Sequence, residues 1–149
     1  MKLYYFSRRE FLRDGRDWID DIDPRLLVLL DTFRHQWGSR VLISGHPDAI
    51  GRTGKATDSQ HHWEPGKLVR GIDVIPSAMG LRKDANRAIT MAINLGFTGI
   101  GLYPHWQPSA GLHLDTRTSR RPGDPALWGA VYKPQQYLSL NETLEFMPA

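Results

Sequence analysis

The chain contains no cysteine. Disulfide bonds, thiolate metal ligands and a cysteine nucleophile are therefore excluded, and any metal ion would have to be held by histidine, aspartate or glutamate. The sequence also lacks a run of about 18 apolar residues, which a membrane span needs. The opening residues, MKLYYFSRREF, lack the apolar core of a signal peptide. We therefore expect cytoplasmic synthesis and no contact with a membrane.

The charge balance is only mildly basic, with a formal net charge of +3 and a sequence pI of about 9.4. An excess this small does not identify an anionic partner. Arg117, Arg120 and Arg121 form a basic loop, but no recognition-helix pattern accompanies it, so nucleic-acid binding is not expected. The length of 149 residues fits one ordinary domain. We expect a single domain over residues 1–149, with a monomer favoured.

Hydrophobic periodicity and turn residues predict an α+β fold. Asp23 and Pro24 are suited to begin a helix over residues 23–37, and a second apolar stripe predicts a helix over 83–95. Short apolar runs predict strands at 41–44, 71–75, 97–103 and 111–116. Residues 45–70 are predicted to form a long functional loop, and residues 117–123 a basic loop. No regular element is predicted for the tail that follows, so the expected sheet is small and mostly antiparallel.

Three polar residues lie inside the apolar strand-like runs. They are Asp73, His113 and Asp115, and a buried carboxylate is costly unless it is paired or bound to a cation. Residues two apart in a strand share a face, so His113 and Asp115 point the same way. Gly71 and Gly111 leave space beside these side chains. If the two strands are neighbours, Asp73 and His113 converge on one point.

A third ligand would complete a catalytic zinc site, which has three protein ligands and an open position. His61, near the end of the long loop, is the first candidate, and the adjacent His62 is the alternative. The helix-borne HExxH pattern is absent. A structural interpretation also stands on the residues alone, because Asp73 could accept backbone N–H groups and His113 could simply be a core histidine bonded to Asp115.

The order of these motifs resembles that of the M15 metallopeptidase family, which includes D-alanyl-D-alanine carboxypeptidases and peptidoglycan endopeptidases. The stretches that carry the resemblance are S-Q-H with a later G-I-D, then G-I-G-L-Y-P, then G-L-H-L-D. The matching positions are Ser59, His61, Asp73, Gly99, Gly101, Tyr103, Pro104, His113 and Asp115. The resemblance covers most of the chain, and the ordered set is more specific than any single motif.

The resemblance implies the fold of hedgehog proteins and D-alanyl-D-alanine peptidases. It also implies that His61, Asp73 and His113 bind one Zn²⁺ ion, with His61 rather than His62 as the ligand. The implied activity is cleavage of an amide bond in peptidoglycan stem peptides or cross-links. Asp115 would then be either the general base or a group that orients His113, and both roles stay open.

The sequence departs from the family pattern at several positions. The step from His61 to Asp73 is five residues longer than in the family, so residues 62–70 are expected to form an exposed insertion at the mouth of the site. The arginine that the family places after Ser-Gly-Tyr is missing, and Arg52 is the candidate replacement as a substrate or oxyanion contact. Ala110 stands where many relatives carry a carboxylate. Glu64 is a further candidate base, and Tyr103 or His105 a substrate contact.

Two other classes of function compete with the peptidase. The first is a non-catalytic module of the cell wall or of a phage particle that retains the fold, and the second, less favoured, is nucleic-acid binding. A wall-directed activity in a chain without a signal peptide suggests a phage-encoded protein. Such a protein would act as an endolysin after release or as part of a virion.

Overall fold

The computed structural model describes residues 1–55, 57–132 and 134–149. Across these residues it contains three α-helices and eight β-strands. The helices are α1 (Pro24–Trp37), α2 (Arg82–Leu95) and α3 (Leu140–Leu144). The strands are β1 (Leu12–Arg13), β2 (Arg16–Asp17), β3 (Val41–Ile43), β4 (Gly71–Pro76), β5 (Gly99–Tyr103), β6 (Gly111–Asp115), β7 (Ala126–Val131) and β8 (Gln136–Leu138). Short 3₁₀ turns lie at Arg8–Phe11 and Ile19–Asp21.

The two long helices begin and end where their sequence signals predict. The side chain of Asp23 accepts the N–H of Arg25 at 3.1 Å, and Pro24 occupies the first helical position of α1. Gly38 and Gly96 end α1 and α2 in the left-handed conformation, at φ values of 78° and 103°. Both predicted helices are therefore confirmed to within a residue at each end.

Six strands form the main sheet in the order β3-β4-β6-β5-β7-β8. Every neighbouring pair is antiparallel except β5 and β7, which run parallel. The parallel pair arises because residues 116–125 carry the chain from the end of β6 across to the far side of β5. The predicted α+β class with a mostly antiparallel sheet is confirmed.

The two faces of the sheet differ in chemistry. One face carries side chains that are fully buried in a core shared with α1 and α2, namely Ile72, Val74, Ile100, Leu102, Leu112 and Leu114. Burying each such side chain contributes about 1.5–3 kcal/mol, so this face holds the sheet on the helices. Because side chains alternate along a strand, Asp73, His113 and Asp115 lie on the opposite face.

The prediction of an irregular tail is wrong. Residues after the basic loop add β7, β8 and α3 to the domain. Gly129 lies directly beneath Thr143, where a Cβ atom would overlap that side chain, so α3 packs closely on β7.

The prediction that residues 62–70 form an exposed insertion holds only at the tip. Glu64, Pro65 and Gly66 are exposed, whereas His62 and Val69 are buried. The backbone of Val69 pairs with the segment before α1: its N–H donates to Asp21 O and its carbonyl accepts from the N–H of Asp23. The loop is thus held against the body of the domain rather than projecting from it.

Arg16 holds the same loop through a second contact, with Trp63. The guanidinium of Arg16 lies 3.7 Å from the ring centre of Trp18 and 4.4 Å from that of Trp63, and it also donates to Asp21 at 2.9 Å. A cation between two aromatic faces is attracted by both ring quadrupoles. The loop that carries His61 is therefore anchored at Trp63 and at Val69, both of which follow the histidine.

Candidate metal centre

A single row of residues crosses four strands of the polar face. Asp73 on β4 is opposite His113 on β6, His113 is opposite Gly101 on β5, and Gly101 is opposite Trp128 on β7. Position 101 must be glycine because a larger residue would clash with the indole: a Cβ atom there would lie 2.6 Å from Trp128 Nε1. The row therefore places a carboxylate, an imidazole and an indole side by side.

His61 reaches this row from the long loop. Its Nδ1 lies 3.0 Å from the carbonyl oxygen of Ile50, and the ring's Nε2 points to the sheet. Gly71 lets the loop approach, because a Cβ atom there would lie 2.8 Å from His113 Cε1 and 2.9 Å from Gln60 Cβ. His62, the alternative ligand, is 2% exposed and contacts Glu64 at 3.4 Å instead. The structure thus brings His61, not His62, to Asp73 and His113.

The three donor atoms form a nearly equilateral triangle. His61 Nε2 lies 3.1 Å from His113 Nδ1 and 3.2 Å from Asp73 Oδ1, and the third side, between His113 Nδ1 and Asp73 Oδ1, is 3.1 Å. The two imidazoles are buried and the carboxylate is mostly so. The group could hold a metal ion.

Hydrogen bonds in the cluster shift the pKa of both sheet ligands. Burial acts to raise the pKa of Asp73, but hydrogen bonds to His113 and His61 outweigh it and hold the pKa well below its ordinary range. Burial acts to lower the pKa of His113, but hydrogen bonds to Asp115 and Asp73 raise it to about 9. Without a cation the cluster therefore keeps a proton on His113, which a metal ion would have to displace.

Asp115 lies on the far side of the His113 ring. Its Oδ2 is 2.7 Å from His113 Nε2, whereas Nδ1 of the same ring faces Asp73 and His61. The carboxylate is 0% exposed and also accepts from Arg117 Nη2 at 2.6 Å. Burial acts to raise its pKa, but the hydrogen bonds from His113 and Arg117 lower it to about 2.

This placement bears on the two roles that the resemblance leaves open for Asp115, general base and orienting group. The carboxylate is fully buried behind His113 and does not line the cleft, an arrangement that favours the orienting role. Arg117 was predicted to belong to a solvated basic loop, but its guanidinium pairs with Asp115. Glu64, the other candidate base, is half exposed beside His62 and does not line the cleft.

The cluster opens into a cleft of about 810 Å³. Arg52 lies at its rim with a side chain that is 46% exposed and 4.0 Å from Asp48, which suits contact with a bound molecule. The opposite wall is aromatic and consists of Tyr103, Trp106, Trp128, Tyr132 and Tyr137. Of these five residues, only Tyr103 was predicted from the sequence as a candidate substrate contact. The aromatic residues after position 125 were the feature of the sequence that could have pointed to the rest of the wall.

The chain was compared with protein-family models, with curated proteins and with solved structures, and none of the three comparisons gave a match. The resemblance to M15 metallopeptidases thus stays a prediction from the motifs. No helix in the described ranges is long and apolar enough to cross a bilayer.

Proposed function

We propose that the protein is a zinc-dependent peptidase that cleaves an amide bond in the peptide part of peptidoglycan. The observation that carries the proposal is the triangle of His61 Nε2, Asp73 Oδ1 and His113 Nδ1, with sides of 3.1–3.2 Å, at the floor of a large cleft. The alternative is a wall-binding module without catalysis, and the experiment below separates the two.

The donor set and its spacing favour zinc. Two imidazoles and one carboxylate are ligands that zinc accepts, and three protein ligands with a free side are typical of catalytic zinc sites. Zinc bonds of about 2.0–2.1 Å in a tetrahedron require donor atoms about 3.3–3.4 Å apart. The observed separations of 3.1–3.2 Å need only a small expansion to meet that requirement.

The protein's own residues prepare this site for an amide substrate. Asp115 accepts the Nε2–H of His113, which leaves the Nδ1 lone pair directed at the triangle. The lowered pKa of Asp73 keeps it a carboxylate at neutral pH. A bound zinc ion would lower the pKa of a water molecule and polarise a scissile carbonyl. Arg52 stands at the rim, where it can contact an anionic group of the substrate.

The choice of peptidoglycan depends on the motif resemblance, and the cleft is compatible with it. A cleft of about 810 Å³ is in the range that holds several residues of a peptide. As a proposal, the protein acts on the cell wall after release from the cell or as a component of a phage particle, with peptidoglycan peptides as its partners.

Digestion of purified peptidoglycan fragments tests the proposed function. We expect the zinc-loaded protein to release new amine termini, identified by mass spectrometry, and a chelator to stop the reaction because the triangle would lose its ion. Re-addition of zinc should restore cleavage, whereas magnesium, which prefers oxygen ligands, should not. Binding to the wall without any chelator-sensitive product would favour the non-catalytic module.

Replacing Asp115 with asparagine tests its proposed orienting role. The amide carries no full charge to hold the His113 N–H, so zinc affinity is expected to fall about 10–100-fold while turnover at saturating zinc stays close to that of wild type. A general base would give the reverse, with zinc retained and turnover reduced about 10²–10⁴-fold. Zinc competition with a chromophoric chelator, paired with product formation, separates the two. Asp58→Asn, at an exposed carboxylate of the cleft, is the matched control.

A further inference from the structure

Two tyrosines of the cleft are held in the same way but at different depths. Trp128 Nε1 donates to Tyr103 Oη at 3.1 Å, and Trp106 Nε1 donates to Tyr132 Oη at 3.2 Å. Tyr103 is 8% exposed and Tyr132 is 38% exposed. Each phenol oxygen therefore accepts a hydrogen bond from an indole, which fixes the oxygen and leaves its own hydrogen to be donated elsewhere.

The hydroxyl of Tyr103 has no protein acceptor within hydrogen-bond distance among residues 1–55, 57–132 and 134–149. Its ring is nevertheless firmly placed, since it stacks on Trp106 with centroids 4.2 Å apart and planes at 15°. Burial also raises the pKa of Tyr103, so the group keeps its proton. A mostly buried donor without a partner that lines a cleft is prepared for an acceptor on a bound molecule.

The sheet register places this donor beside the metal-binding triangle. Tyr103 lies two residues beyond Gly101 on β5, hence on the same face, and Gly101 is directly opposite His113. Trp128 connects the two features, because its ring centroid is 5.3 Å from that of His113 while its N–H holds Tyr103 Oη. Tyr103 thus faces the cleft one step along the sheet from the ligands.

We infer that Tyr103 donates a hydrogen bond to the substrate oxygen that gains negative charge when the amide bond is attacked. This inference rests on the proposed peptidase function and assigns one more residue to it. Tyr103 keeps its proton throughout, and only the strength of the hydrogen bond changes as charge develops. A donor fixed in advance needs little reorganisation during the reaction, whereas the side chain of Arg52 is 46% exposed and not held in this way.

Tyr103→Phe in the full-length, zinc-loaded protein tests this role, with Tyr4→Phe, at an exposed tyrosine outside the cleft, as the control. Phenylalanine keeps the stack on Trp106 but removes the acceptor of Trp128 Nε1–H, so a modest fall in the melting temperature is expected while the zinc content should match wild type. Loss of one oxyanion donor is expected to lower kcat on peptidoglycan fragments about 10²-fold with little change in KM. Tyr4→Phe should stay within about twofold of wild type, because its side chain is exposed and does not line the cleft.

Binding of acetohydroxamate, a small chelating ligand with an anionic oxygen, gives a readout that does not depend on turnover. Its affinity for the zinc-loaded protein should fall roughly tenfold in Tyr103→Phe and remain unchanged in Tyr4→Phe. If wild type cleaves and Tyr103→Phe keeps both kcat and acetohydroxamate affinity, or if both variants lose equally, the inference is overturned while the proposed function stands. If wild type shows no chelator-sensitive cleavage, the proposed function fails and the catalytic role of Tyr103 fails with it.

Discussion

His113→Ala is expected to lose stoichiometric zinc and all measurable cleavage. Even a partner outside the ligand set is worth about 10–100-fold in metal affinity, so removing one of only three ligands should cost more than about a hundredfold. Asp73 and His61 would remain as a two-ligand site next to an empty volume. Elemental analysis of the purified variant, together with mass spectrometry of digested wall fragments, measures both losses.

Zinc bound as proposed would stabilise the folded state, and the same variant should lose that stabilisation. For wild type, zinc at a hundred times its dissociation constant adds about 2.7 kcal/mol to the free energy of unfolding. His46→Ala, an exposed histidine of the same cleft outside the triangle, is the control and should keep both zinc and the thermal shift. One zinc ion per chain in His113→Ala, at wild-type affinity, would contradict the assignment of the site.

Gly99→Ala is expected to destabilise the fold by about 3–5 kcal/mol, although it adds only a methyl group. The Cβ atom would overlap both carboxylate oxygens of Asp115, which is fully buried and held by His113 and Arg117. The carboxylate cannot move aside without breaking its hydrogen bonds to His113 and Arg117. The added methyl group therefore either displaces strand β5 or breaks those hydrogen bonds. Urea unfolding followed by circular dichroism measures the loss.

The disturbance at Gly99 is expected to extend to the proposed metal centre, because Asp115 is hydrogen-bonded to His113. Zinc affinity is therefore expected to fall together with stability in Gly99→Ala. The matched control is Gly80→Ala, where a Cβ atom would meet no other atom within 4 Å and the backbone φ is ordinary. Equal unfolding midpoints for Gly99→Ala and Gly80→Ala would show that Asp115 is not confined as the structure indicates.

The helices, four of the strands and the metal-binding group were predictable because their signals are local or chemically unusual. Asp23, Pro24 and the two end glycines mark helix ends through the conformations they prefer. Asp73 and His113 stand out because polar side chains inside apolar strands need a partner. The geometry adds that all three predicted ligands meet, and that the loop turns His61 rather than His62 toward the sheet.

What the sequence did not reveal depends on contacts between distant segments. The strand β7 pairs in parallel with β5, so its residues follow no hairpin signal, and the aromatic wall could not be assigned to the cleft. The role of Asp115 depended on which ring nitrogen of His113 it faces, a matter of side-chain rotation. Arg117 appeared to belong to a solvated loop because its buried partner was not known to lie beneath it.

The row of residues across β4, β6, β5 and β7 has a consequence for the order of folding. His61 and His113 are separated by 52 positions in the chain, and Asp73 and His113 by 40, so the triangle closes only after long stretches of chain have been brought together. Such non-local pairings form slowly, because the entropy of closing the intervening loops is lost before the contacts are made. During synthesis the sheet ligand His113 leaves the ribosome after both other ligands. A metal ion held by all three residues of the proposed site would therefore report that the central strands have already docked.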